Sequence, residues 1–142
     1  MLKKLFLVAV VVVIGIGRAQ AEPKFQLDTF GKRVVLISNL YPPTETCDPR
    51  QFRGKVVKRQ FDDSATMIEG FVLEHSDGSR DCINVGADLK GASMNASEWI
   101  VRGLQTLLAE GHVVDVVVKF CGVSGHIVNL EAVREVPPWE GN

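Results

Sequence analysis

A mainly β domain with one helix is predicted from the sequence, a small five-stranded barrel in the order β-β-β-α-β-β. Three observations lead there. Short runs of strand character occupy residues 55–61, 66–75 and 80–85, a single helical stripe follows them, and two more strand runs cover 112–121 and 126–134. Gly70, in the middle of the second run, marks the bulge or tight coil that lets a strand curl into a barrel.

The elements follow in chain order. Residues 1–21 read as a signal peptide: Lys3 and Lys4, the apolar run 5–17 (LFLVAVVVVIGIG), then the small-x-small pattern Ala19-Gln20-Ala21 before Glu22. The apolar run is short for a bilayer span and no second one follows, so no transmembrane segment is expected after cleavage. The expected destination is secreted or periplasmic, and the style of the leader is bacterial. Residues 22–53 read as an N-terminal extension with a possible strand at 33–40 (RVVLISNL), ended by Pro42-Pro43 and followed by a loop that carries Cys47.

The barrel domain is expected over 54–135. Its first strand is 55–61 (KVVKRQF). The second, 66–75, places Met67, Phe71 and Leu73 on one parity and Ile68 and Val72 on the other. Ser76-Asp77-Gly78-Ser79 is a hairpin turn, since Asp-Gly readily takes the positive φ angles such turns need. In the third strand, 80–85, Ile83 and Val85 share a face and Cys82 points the other way. Asn95 and Glu98 have capping-box spacing, with Ser93 or Ser97 as alternative caps. Ile100, Val101, Leu104, Leu107 and Leu108 then form one apolar stripe that plugs an end of the barrel, and Gly111 stops the helix. Val114, Val116, Val118 and Phe120 make the inner face of the fourth strand, with Asp115 and Lys119 outside. Residues 136–142, with Pro137, Pro138 and Trp139, form an extended tail. Five strands with the helix after the third is the plan of the OB-fold.

Charge narrows the function. The formal net charge of −1 becomes about −4 once Lys3, Lys4 and Arg18 leave with the leader, and a net acidic chain is a poor general binder of nucleic acid. The strands also lack the aromatic surface on which bases stack, offering only Phe61, Phe71 and Phe120. Against that background Arg50, Arg53, Lys55, Lys58 and Arg59 concentrate five cations in ten residues. Simple alternation gives Lys55 and Arg59 one parity and Lys58 the other. The stretch is a candidate anion site built on Arg53, Lys55, Lys58 and Arg59; the alternative is an edge strand guarded against aggregation by its lysines.

Cys47, Cys82 and Cys121 all lie in the exported part, so one disulfide is expected, with three pairings open. His75, His112 and His126 are scattered without ligand spacing, so no metal or other cofactor is expected. In an OB barrel the first and fourth strands run side by side and antiparallel. That topology favours Cys47–Cys121 and leaves Cys82 buried.

Residues 55–133 resemble the core of the staphylococcal-nuclease (thermonuclease) family. Phe61-Asp62-Asp63-Ser64-Ala65-Thr66 occupies the place of the family's Asp-Gly-Asp-Thr turn. Arg80 opens the third strand, where the family carries a catalytic arginine. Ala96-Ser97-Glu98-Trp99 begins a similar helix, and Gly125-His126 stands where a Gly-Arg pair supplies a second phosphate-binding arginine. The resemblance implies a Ca²⁺ held by Asp62, Asp63 and Asp88, with Arg80 and His126 on the phosphate. The set is incomplete. Val85-Gly86 falls where the third-strand acid is needed, no glutamate follows before Met94 to position water, and histidine lacks the arginine fork. The expected function is therefore a non-catalytic, exported binding or accessory protein of the bacterial envelope, its partner an envelope protein or an anionic polymer. The alternatives are a divergent Ca²⁺-dependent nuclease or phosphodiesterase and a structural subunit of a secreted assembly.

Overall fold

The computed structural model describes residues 22–41, 47–87, 89, 92–121, 127–137 and 140. The predicted signal peptide, and with it Asp88, His126, Pro138 and Trp139, lie outside the described residues. Among the described residues, seven strands and one helix follow in the order β1 (Lys24–Leu27), β2 (Val34–Ser38), β3 (Asp48–Phe61), β4 (Ile68–Glu74), β5 (Arg80–Asn84), α1 (Met94–Leu107), β6 (Val113–Cys121) and β7 (Ile127–Glu135).

Five of these strands close on themselves in the circuit β3-β4-β5-β7-β6-β3. Every neighbouring pair is antiparallel except β5 and β7, which meet in parallel at Asn84 and Asn129. This is the strand order of an OB-type Greek-key barrel, with the helix between its third and fourth strands. The barrel interior is filled by Val56, Ile68, Phe71, Leu73, Ile83, Val114, Val116, Val118, Leu130 and Val133, all almost wholly buried.

β3 begins at Asp48, seven residues before the run legible in the sequence, because its first half pairs with β6 and only its second half with β4. Two register slips bend the β3–β4 ladder. One leaves Val57 unmatched between the pairs Val56–Leu73 and Lys58–Val72; the other leaves Glu69 unmatched beside Gly70. Each bulge reverses the side-chain parity beyond it. Ile68 therefore joins Phe71 and Leu73 in the core, although alternation placed it on the opposite face.

The segment before the barrel is a hairpin. β1 pairs with β2, and β2 extends the sheet from β7 through Leu36–Arg134 and Ile37–Val133. The expected strand at 33–40 is β2; β1 had no counterpart in the sequence reading. The helix packs mainly on β2, with contacts also to β1, β4 and β7, so its stripe of Ile100, Leu104, Leu107 and Leu108 is sealed by the hairpin as well as by the barrel. Phe25 and Trp99 stack at 6.1 Å between ring centres. Of the caps the sequence offers, Ser93 is the N-cap, its Oγ accepting the Ala96 N–H at 3.1 Å, rather than the Asn95 box. Gly111, at φ +91°, turns the chain into β6.

Candidate functional site

The outer face of β3 carries the basic stretch, and the Val57 bulge decides which cations it presents. Lys55 precedes the bulge and Lys58 follows it, and both are exposed. Arg59 goes inward, opposite buried Phe71. Simple alternation puts Lys55 with Arg59; the inserted residue instead gives Lys55 and Lys58 one face. Arg59 donates from Nη1 to the Gln105 carbonyl of α1 at 3.2 Å and lies over the Phe61 ring at 5.0 Å, so it ties strand to helix. Its Nε is buried without a hydrogen-bond partner.

Arg53 also faces outward but is engaged. Its Nε and Nη2 meet the two carboxylate oxygens of Asp115, across the β3–β6 ladder, at 2.6 and 2.9 Å. The four candidate cations thus separate into two kinds. Lys55 and Lys58 have no ion-pair partner among the described residues, whereas Arg53 and Arg59 are held by the fold.

Two hollows flank the exposed lysines. One, of about 200 Å³, lies across β3, β4 and β5, with Lys58, Gln60, Gly70, Val72, Cys82 and Asn84 among its lining. The cross-strand rows Lys58–Val72–Cys82 and Gln60–Gly70–Asn84 build it, and Gly70 contributes no side chain to fill it. A Cβ at Gly70 would stand 3.1 Å from the Ile83 carbonyl oxygen. The second hollow, of about 390 Å³, has Arg53, Gly54, Lys55, Glu74, His75 and Glu140 in its wall. Gln60 and Asn84 carry no signal in the sequence; only the register across three strands brings them, with Cys82, beside Lys58. Cys82 is exposed, not buried as expected, because Ile83 takes the inward position of β5. The disulfide joins Cys47 to Cys121, the pairing that the barrel topology favours.

Of the residues of the nuclease alternative, Asp62 and Arg80 stand apart, and Asp88 and His126 lie outside the described residues. Asp62 organises its own turn: its Oδ1 accepts the Ser64 hydroxyl at 2.8 Å and the Thr66 and Met67 N–H groups at 3.1 Å each. The Met67 N–H foremost, then the Ser64 hydroxyl, holds this carboxyl below the usual aspartate range. Arg80 stands at the opposite end of β4, bonded through Nε and Nη2 to Glu74 at 2.9 Å. Six residues of strand, roughly 20 Å, separate the two ends. Among the described residues no group of three or more His, Cys, Asp or Glu is placed to hold a metal ion.

Compared with known family models, curated proteins and solved structures, the chain finds no significant match. Of the expected resemblance, the structure shows a closed five-stranded barrel with one helix, compatible with an OB-type architecture.

Proposed function

We propose that the protein is an exported, non-catalytic binding module whose outer β3 surface takes an anionic envelope polymer or an acidic face of an envelope protein. One observation carries this reading: Lys55 and Lys58 stand exposed on one face of a curved strand, each beside a hollow, in a chain that is otherwise acidic. Unpaired cations along a strand meet a line of anionic groups without first breaking an internal ion pair. Export is supported by the leader-like pattern of residues 1–21 and by the disulfide, which suits an oxidising compartment. Among the described residues no helix is long and apolar enough to cross a membrane. Catalysis is disfavoured because Asp62 and Arg80 are far apart and each is already bonded within the protein.

The test is fluorescence anisotropy with a dye-labelled uronate polysaccharide (alginate), titrated at low and at raised salt. Binding should weaken with salt and fall about tenfold in Lys55→Glu/Lys58→Glu, as two exposed ion pairs imply, with the melting temperature unchanged. Arg80→Ala should bind like the parent. Unchanged binding in the double variant would refute the site. Ca²⁺-dependent cleavage of single-stranded DNA that disappears in Arg80→Ala would instead establish the enzyme.

A further inference from the structure

Arg53 does not act alone. Asp115 lies between it and Arg134 in the β3–β6–β7 ladder, and Arg134 Nη2 also bonds the Asp115 carboxylate. Two guanidiniums around one carboxylate leave a surplus positive charge. Glu140, beyond β7, neutralises it. Its Oε2 is 3.8 Å from Arg53 Nη2 and 3.6 Å from Arg134 Nη2, and its backbone carbonyl accepts a hydrogen bond from Arg53 Nη1 at 2.9 Å. Arg53, Arg134 and Glu140 remain more than two-fifths exposed, while Asp115 is 12% exposed. Glu140 is also part of the wall of the 390 Å³ hollow beside Lys55.

We propose that Arg53 and Arg134 form a clamp for an acidic residue of a partner peptide, and that Glu140 occupies this clamp in cis as its internal competitor. The contacts of Glu140 define the ligand. The clamp meets a side-chain carboxylate with two guanidiniums and reads the same residue's main-chain carbonyl with Arg53 Nη1. Carboxylate plus adjacent peptide carbonyl is the signature of an acidic residue within a chain, whereas a phosphate or a free carboxylic acid satisfies only half of it. Asp115 holds the Arg53 fork through two bonds and the Arg134 guanidinium through one, so the clamp is set before ligand arrives. The cis residue is held near by its own chain, which lowers the apparent affinity of any peptide by the fraction of time the clamp is filled. The inference rests on reading the β3 outer face as an anion-binding surface, to which Arg53 and Lys55 also belong.

The experiment measures the affinity of the full-length chain for a dye-labelled peptide copying residues 136–142 (VPPWEGN), with a Glu-to-Gln peptide as control. Glu140→Gln should bind the parent peptide at least about threefold more tightly than the unaltered protein, since the competitor has lost its charge. Glu140→Gln/Arg134→Gln should lose that gain, and Glu140→Gln/Arg134→Lys, which keeps the charge but not the fork, should lose most of it. The control peptide should bind weakly to all. Equal affinities for the unaltered protein and Glu140→Gln, or a gain indifferent to Arg134, would overturn the clamp. These variants leave Lys55 and Lys58 in place, so a failed clamp with intact polysaccharide binding leaves the broader reading standing, and the reverse result removes only the polysaccharide.

Discussion

Asp115 shows how a single carboxylate redefines its neighbours. The sequence presents Arg53 as one of five clustered cations, and nothing in a linear pattern reveals that β6 places an acid opposite it. Arg59 was illegible for another reason, since one unmatched residue at Val57 turns it from the surface to the helix. Lys55 and Lys58 were legible because exposure needs no partner. The Arg53 guanidinium, with Arg134 behind it and against the opposing effect of partial burial, holds the Asp115 carboxyl below the ordinary aspartate value. A depressed native pKa gives stability that is complete above the unfolded-state value near 4 and is lost as pH falls through the native one. Asp115→Asn should therefore lower stability at neutral pH by about 1–2 kcal/mol, a figure set by charge-assisted hydrogen bonds that are partly solvent-screened. That difference should shrink towards pH ~3, below the unfolded-state aspartate value, where protonation begins to favour the unfolded parent chain. Urea unfolding at the two pH values measures it. A difference that grew on acidification would contradict the assigned ion pairs.

The strands of the barrel and its one helix were readable as elements because their periods run for five residues or more. β1 was not, since four residues are too short a window for alternation to stand out. The early half of β3 was hidden by Asp48-Pro49-Arg50, which reads as loop. Proline is tolerated there because this stretch is paired on one side only, with β6. The missing hairpin matters, because it supplies the main partner of the helix. At that contact Gly103 of α1 faces Val34 of β2, and a Cβ on Gly103 would come within 2.9 Å of the Val34 side chain. Two effects oppose each other in Gly103→Ala. Helix propensity favours alanine by about 1 kcal/mol, while overpacking a buried contact costs about 1–3 kcal/mol. Val34 is 3% exposed and has little room to move, so the variant should be less stable overall. Combining it with Val34→Ala should recover part of the loss relative to the sum of the single changes, which a double-mutant cycle in urea detects. A stabilised Gly103→Ala protein would mean that the helix does not sit closely on the hairpin.

At the scale of the whole molecule, the element order made the topology readable, and an OB-type barrel brings its first and fourth strands together. What the element order could not locate was the surface chemistry. The clamp and both hollows each arise from residues on three strands that only the closed register brings side by side. The disulfide belongs to the closure itself. The β3–β6 ladder runs as far as Asp48 opposite Phe120, and Cys47–Cys121 lies one step beyond it. The bond closes a loop across a sequence separation of 74 that contains β3, β4, β5, α1 and most of β6. In the chain-entropy model a loop of that size stabilises the fold by about 4 kcal/mol, chiefly by restricting the unfolded chain. Cys47→Ser/Cys121→Ser should therefore unfold at markedly lower urea and melt roughly 10–20 °C lower, while keeping the native circular-dichroism spectrum. The oxidised protein should titrate one accessible thiol without denaturant, and Cys82→Ser should remove it with little change in stability, because Cys82 projects from the outer face of β5. A double-serine variant as stable as the parent would place the closure energy in the β3–β6 ladder alone. Loss of the native spectrum would show that the covalent link is needed to hold the barrel shut.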